Sequence, residues 1–344
     1  MNAQPRLSLT VLALAAVGVA VTACASTPAA SDDSTPTAET TIVVENAKPT
    51  LVLLEEDGES SWQEDTEVAR ESVEVPASPS AVITFDIATL DTLDAIGAGE
   101  AVVAIPDVVL PDYLSEYADL PKVGTLFEPD FEAVAELEPD LIVTAARSTG
   151  QYDELSEIAT TIDLTGAYAG TFNPAAGLER AAQLGEIFGA EEEVAAKAAD
   201  IEELTSTITS EADGTALVLS VSGGEFGAFG EGSRFGYFFD ELGFTPAVAA
   251  ADLPGAEGSP HGDTVTNEFI LSANPDWIIA FDRGAATGEG SSAEETLDNE
   301  LVAQTTAAQE GNVVFLPASE LYIVINGLTA IENVLTSVHD ELAA

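Results

Sequence analysis

The sequence predicts an α/β protein of two lobes, each built on a parallel central sheet, joined by a single long α-helix. Three observations carry this prediction. Strand-like and helix-like segments alternate from Ala81 to Thr165 and again from Ala216 onward, as they do when a parallel sheet is built. Between these stretches, EEEVAAKAADIEELTSTITSEA (Glu191–Ala212) contains neither Gly nor Pro. Finally, FEAVAELEPDLIVTAARS in the first half parallels NEFILSANPDWIIAFDRG in the second. Each is a helix, an Xaa-Pro-Asp turn, a buried strand and an Arg. Two copies of one unit imply two facing lobes, with Arg147 and Arg283 aimed at the space between.

Taken in order, residues 41–172 form the N-terminal lobe. TTIVVENA and LVLLEE alternate well enough to be the arms of a hairpin, and SVEVP reads as an edge strand ending at Pro76. The segment between Lys48 and Arg70 is otherwise weakly patterned. AVITFD is then a strand, ATLDTLDAIG a helix stopped by Gly97, and AVVAIP a second strand. A short strand at LPKVGTLF, a helix at FEAVAEL and the buried strand LIVTA follow, ending at Arg147. QYDELSEIA and TIDLT add a helix and a strand.

Residues 173–212 are connecting helices. Asn173-Pro174 supplies a cap and first-turn residue for AAGLERAAQLGEIFG, which Gly189 ends. The long helix after it is acidic at its start, as its dipole favours, and is polar enough to serve as a strut between lobes. One strut limits hinge bending, so only modest closure is expected. In the C-terminal lobe, 213–344, ALVLSVSGGEFGAFG reads as a strand and a Gly-rich loop, and GYFFDEL as a helix. HGDTVTNEFILSANPDWIIAFDRGAATG (His261–Gly288) carries a loop with a lone His, then a helix capped by Thr264 or Thr266 and stopped at Asn274-Pro275. Its strand DWIIAFD is short, apolar and suited to burial on both faces. Ligands of open α/β sheets sit outside the carboxyl ends of strands, which is where Arg283 falls.

Charge is the outlier in the composition. The net charge is -52, and Arg6 is the one charged residue among the first 23, so eight basic side chains face 61 acidic ones in the rest. Nucleic acid and anionic membrane surfaces are excluded as general partners, and each remaining Arg becomes informative. At the N-terminus, Arg6, the apolar run Leu7–Ala20 and Val21-Thr22-Ala23-Cys24 read as a signal segment, 1–23, ending at the chain's single Cys. This resembles the bacterial lipoprotein signal, in which Cys24 is lipid-modified, and ASTPAASDDSTPTAETT makes 24–40 a flexible tether. The expected location is the cell membrane, lipid-anchored on its extracytoplasmic face. A single Cys leaves no intrachain disulfide.

From Pro76 to the C-terminus the residues resemble class III substrate-binding proteins of bacterial iron-siderophore importers, and most of all the lipoproteins that bind petrobactin and tetradentate catecholates. HGDTVTNEFILSANPDWIIAFDRGAA, TLDNELV (296–302), GSRFGYFFDELGF (232–244) and GNVVFLPASELYIVINGL (311–328) carry the resemblance. It implies two Rossmann-like lobes, and a ferric siderophore of catecholate type as ligand, with no intrinsic cofactor. The matching siderophore-binding positions are Arg147, Arg234 and Arg283. Guanidinium suits that task because a ferric catecholate is an oxygen-rich anion and an Arg fork stays charged. Screening over roughly 8 Å lets such a cluster act locally in an acidic chain. Ferric iron takes six ligands, and a tetradentate siderophore leaves two sites open. The resemblance places His261 and Tyr322 there as metal ligands, an imidazole and a hard phenolate oxygen. It also implies that Glu132 and Glu268, at equivalent helix positions, dock onto the ABC permease that works with its ATPase. A monomer is expected.

Other readings on the same fold are a hydroxamate siderophore or cobalamin. Haem capture through Met is excluded past the signal, since Met1 is the only Met, and two His residues are too few for a zinc receptor. No G-x-S-x-G elbow, phosphate loop or G-x-G-x-x-G motif marks an enzyme. A surface lipoprotein without a transport role is the remaining alternative.

Overall fold

The computed structural model describes residues 40–56, 59–165, 170–255, 261–286 and 292–344, with the backbone alone for 47–70. The signal segment, Cys24 and the tether up to Glu39 lie outside the described residues. Strand β1 (Thr41–Glu56) and β2 (Glu59–Pro76) form an antiparallel hairpin, paired from Thr41 with Pro76 to Glu56 with Glu59. TTIVVENA and LVLLEE therefore lie on one strand, not on two arms, and SVEVP closes the second strand. Alternation marks a strand without marking its turn; Pro49 sits where the register shifts, a place that tolerates its missing N–H.

The first α/β unit follows. It comprises β3 (Val82–Thr84), α1 (Ile87–Ala95), β4 (Val102–Ala104), α2 (Phe131–Glu136), β5 (Leu141–Thr144), α3 (Tyr152–Ser156) and β6 (Thr161–Asp163). Their strands make a parallel sheet in the order β4-β3-β5-β6. LPKVGTLF contributes two isolated bridges, Ile105 with Lys122 and Gly124 with Pro129, in place of a strand. Asp86 caps α1 by accepting the Thr89 N–H at 2.9 Å. Residues Ile87 to Leu93 of that helix are all buried, Asp91 included.

Next come α4 (Pro174–Phe188) and α5 (Glu191–Glu211). Asn173 caps α4 through the Ala176 N–H at 3.1 Å, and Gly189 ends it in the left-handed region at φ 64°. Strands β7 (Thr215–Ser222) and β8 (Glu225–Phe229) then form a hairpin in which Ser222 pairs with Glu225. That leaves Gly223-Gly224 as a two-residue turn, with φ 59° and 81°, the geometry that matches strand twist in tight hairpins. EFGAF, read from sequence as Gly-rich loop, is thus a strand.

The chain continues through α6 (Tyr237–Asp240), β9 (Thr245–Pro246), β10 (Asp263–Val265), α7 (Asn267–Ala273), β11 (Trp277–Asp282) and α8 (Arg283–Ala286). It ends with α9 (Ala293–Leu297), α10 (Thr306–Glu310), β12 (Val313–Leu316) and α11 (Leu328–Leu342). This sheet runs β10-β8-β7-β11-β12, with β9 beside β7. Its centre is parallel, while β8 runs against both its neighbours. Thr266, not Thr264, caps α7 through the Phe269 N–H at 3.3 Å, and Asn274 ends it with φ 41°.

After β12 the chain returns, because α11 packs against α1 and α4 of the first half as well as α5. One continuous apolar core therefore runs from Leu90, Leu93 and Leu141 through Ile187, Ile201 and Ile331 to Val218 and Phe281. Smaller clusters cover the opposite sheet faces, around Ile83 and Ile142 in one and Leu219 and Ile278 in the other. Burial on both faces explains why these strands are apolar runs rather than alternations. No helix among the described residues is long and apolar enough to cross a membrane.

Candidate functional site

Tyr322 lies on a π-helical turn, Glu320–Val324, that follows β12. Such wide turns occur mostly where a site needs them. This one ends at Ile325, with φ 64° and ψ -78°, and the Asn326 N–H reaches the Val324 carbonyl at 2.9 Å. The result is a γ-turn with positive φ on a β-branched residue, a conformation that surrounding structure must hold in place. Asn326 supplies part of that hold. Its Nδ2 donates to the Thr171 carbonyl at 2.7 Å and its Oδ1 accepts the Asn173 N–H at 2.8 Å. Beyond it, the Asp91 carboxylate accepts the Thr329 and Ala330 N–H groups at 2.8 and 3.0 Å.

Arg147 follows the carboxyl end of β5, on a 3-10 turn that starts at Ala146 with φ 47°. The Ala146 N–H donates to Thr165 Oγ1 at 2.7 Å and the Ala145 N–H to Ser148 Oγ at 3.0 Å, which fix the turn. Its guanidinium crosses to the π turn, donating to the Tyr322 carbonyl at 2.8 Å and the Ile323 carbonyl at 3.2 Å. Burial lowers its pKa from the ordinary value, while Tyr322 and Asp86 act the other way.

Arg234 covers the Tyr322 ring, with its guanidinium carbon 4.7 Å from the ring centre and 5.1 Å from that of Phe235. Its Nε is buried and meets no hydrogen-bond acceptor. Burial, then repulsion from Arg147, brings its pKa down to about 10, against the pull of Tyr322. Arg283 stands 5.9 Å from the same ring centre, at the carboxyl end of β11. The Asp282 carboxylate beside it accepts the Ala285 and Ala293 N–H groups at 2.7 and 3.2 Å. Phe281 stacks on Tyr322 with ring centres 6.5 Å apart, and Phe229, Phe235 and Phe281 pack on one another behind it.

His261 is exposed just before β10. Partial burial, then the charges of Arg283 and Arg234, push its pKa down, which keeps the imidazole neutral and its lone pair open to a metal at neutral pH. Its carbonyl accepts from Ser220 Oγ at 3.1 Å. Glycine is required twice here: a Cβ on Gly227 would collide with the His261 carbonyl, and Gly262, at φ 83°, would meet Gly227 at 2.7 Å. The His-Gly pair and the Gly-rich strand are therefore two sides of one close contact.

Arg147, Arg234, Arg283, His261 and Tyr322 thus converge in one electropositive, aromatic-lined place within an acidic chain. Such a place suits a flat, oxygen-rich anion. Glu132 and Glu268 are not part of it. Each is exposed, second in its helix, after a capping Asp130 or Thr266. The Thr266 hydroxyl and its own backbone N–H hold Glu268 below the usual carboxylate range, the backbone contribution being the larger. Sequence reasoning missed the wall of Phe229, Phe235 and Phe281, the anchors Asp91 and Asn326, and the Arg180–Asp86 ion pair beside Arg147. The signal for Phe229 and Phe235 was the run FGAFGEGSRFGYFF, while Phe281 stands in DWIIAFD. Among the described residues no three His, Cys, Asp or Glu side chains gather as a metal site.

Residues 82–320 match the family model described as periplasmic binding protein. The chain is 36% identical over 281 residues to the petrobactin-binding protein YclQ of Bacillus subtilis, covering 79% of this chain and 86% of that one. It is 32% identical over 272 residues to the ferric-anguibactin-binding protein FatB of Vibrio anguillarum, covering 76% and 81%. The crystal structure of the periplasmic catecholate-siderophore binding protein VctP of Vibrio cholerae superposes with a TM-score of 0.68 at 31% identity, covering 78% of this chain and 95% of that one.

Proposed function

The chain belongs to the periplasmic binding protein family, a family of binding proteins and not of enzymes, and from that premise we propose that it captures a ferric siderophore of catecholate type between its lobes. One observation carries the reading: the guanidinium groups of Arg234 and Arg283 stand 4.7 and 5.9 Å from a single phenol ring whose backbone Arg147 holds. In this reading the three arginines grip the catecholate oxygens. Tyr322 offers its phenol oxygen to the iron. With the neutral imidazole of His261 it fills the two positions that a tetradentate siderophore leaves open. The iron is cargo. Cys24 anchors the chain by lipid to the extracytoplasmic face of the cell membrane. Glu132 and Glu268 dock a monomer, one lobe each, onto an ABC permease driven by its ATPase.

Titration of intrinsic tryptophan fluorescence with ferric complexes of a tetradentate catecholate, a hexadentate catecholate and a hydroxamate tests this. Saturable quenching that is strongest for the tetradentate complex is expected. Preference for the hydroxamate would overturn the catecholate assignment, and no quenching by any complex would overturn siderophore binding.

A further inference from the structure

Asp91 is a carboxylate on α1, whose other buried residues are all apolar or hydroxyl-bearing, and its side chain has no exposure to solvent. Helix α11, which it faces, begins at Leu328 after Gly327, and no side chain of its own caps it. The Asp91 oxygens take over that task from a helix distant in sequence, accepting the Thr329 and Ala330 N–H groups and the Tyr113 hydroxyl. An acid at a helix N-terminus is well placed to do this. Gly327 is part of the same fit, because a Cβ there would collide with the Asp91 carboxylate.

The residues between this anchor and Tyr322 are few. Ile323, Val324, Ile325 and Asn326 are all buried, and Asn326 is tied to Thr171 and Asn173 at the start of α4. Arg147 holds the other end through the Tyr322 and Ile323 carbonyls. The segment that carries Tyr322 is thus held from the first half of the chain at three places, although it emerges from a strand of the second sheet. Its γ-turn at Ile325 does not hold itself, so loosening the Asp91 anchor frees the strained end.

We propose that Asp91 is a positioning residue for Tyr322, pinning the start of α11 so that the phenol faces the ferric centre of a tetradentate siderophore. This rests on the reading of Tyr322 as an iron ligand. Asp91 touches neither siderophore nor iron; it acts through the γ-turn and Asn326. Groups that orient a metal ligand from behind commonly alter metal affinity by about ten- to a hundredfold when removed.

The test compares the full chain with its Asp91→Asn, Tyr113→Phe and Tyr322→Phe variants. The probes are the ferric complexes of a tetradentate bis-catecholate and a hexadentate tris-catecholate. Dissociation constants are measured for both, together with the visible charge-transfer band of the bound tetradentate complex. Asp91→Asn is expected to weaken the tetradentate complex about tenfold or more and to shift its band toward that of Tyr322→Phe, with the hexadentate complex changed little. Tyr113→Phe, which leaves both backbone contacts of Asp91 in place, is expected to move the band in the same direction by less, and it decides the matter should Asp91→Asn not fold. Equal weakening of both complexes with an unchanged band would make Asp91 a purely structural residue and overturn the proposal. So would an unchanged preference and band alongside a strong effect of Tyr322→Phe. No effect of Tyr322→Phe would instead remove the iron-ligand reading, and the proposal with it.

Discussion

Replacing Asp91 with Asn removes one buried ionisable group and leaves its volume nearly unchanged. Burial pushes the Asp91 carboxyl from 3.8 up to about 7, opposed by its bonds to Tyr113, Thr329 and Ala330 and assisted by nearby Asp94. Tyr113, which faces it from the turn after β4, is itself pushed up by burial and by Asp91, with Glu320 adding to the effect. A folded state that binds a proton more tightly than the unfolded chain is favoured where that proton is bound. The contribution is therefore complete below about pH 4 and is lost as pH rises through about 7. A difference of roughly three units at about 1.4 kcal/mol each makes it about 4 kcal/mol in all, of which about 3 kcal/mol falls between pH 5 and 8. Urea unfolding at pH 5 and at pH 8 measures it. Stability of the parent protein should fall over that interval by about 3 kcal/mol more than stability of Asp91→Asn, since other titrating groups are common to both. Parallel profiles would mean that three donors and a helix terminus keep Asp91 ionised throughout.

Three further outcomes follow from the same geometry. Gly262→Ala, at φ 83° against Gly227, should cost on the order of 1–3 kcal/mol by overpacking and strain, and should change the charge-transfer band by moving His261; an unaltered band would separate that loop from the metal. Asn326→Ala removes two buried hydrogen bonds and leaves the Asn173 N–H and Thr171 carbonyl without them, so unfolding in urea should show a loss of about 2–4 kcal/mol. Glu132→Ala combined with Glu268→Ala should leave siderophore binding unchanged in titration while uptake by cells fails; normal uptake would count against docking through this pair.

The parts of the fold that were legible in the sequence are those set by period and punctuation. Asn173-Pro174 and Gly189 bracket α4, and the Xaa-Pro-Asp turns before β5 and β11 mark the repeated unit, because caps and breakers act over a few neighbouring residues. Pairing was less legible. Gly223-Gly224 is a tight turn and EFGAF a strand, yet a Gly in every second or third place reads as loop until the partner strand is known. The five candidate residues were named through their likeness to a family, and the fold brings them to one place. Asp91 and Asn326 were not found, because their partners are 238 and 153 residues away in the chain.

The chain passes between its two sheets twice, outward through α4 and α5 and back through the Tyr322 segment into α11. A body fastened at one point can turn about three axes; fastened at two, it turns about the single line through both. The two passages meet at Asn326, where the return segment is tied to the start of α4. Points near an axle travel least. Tyr322 is four residues from that tie, and the Arg234 carbonyl accepts the Phe172 N–H beside it at 3.0 Å, whereas Arg283 and His261 flank strands of the second sheet. A swing of that sheet would therefore alter the distance of Arg283 and His261 from Tyr322 more than that of Arg234, so that tyrosine and Arg234 would serve as the fixed jaw and the other two as the moving one.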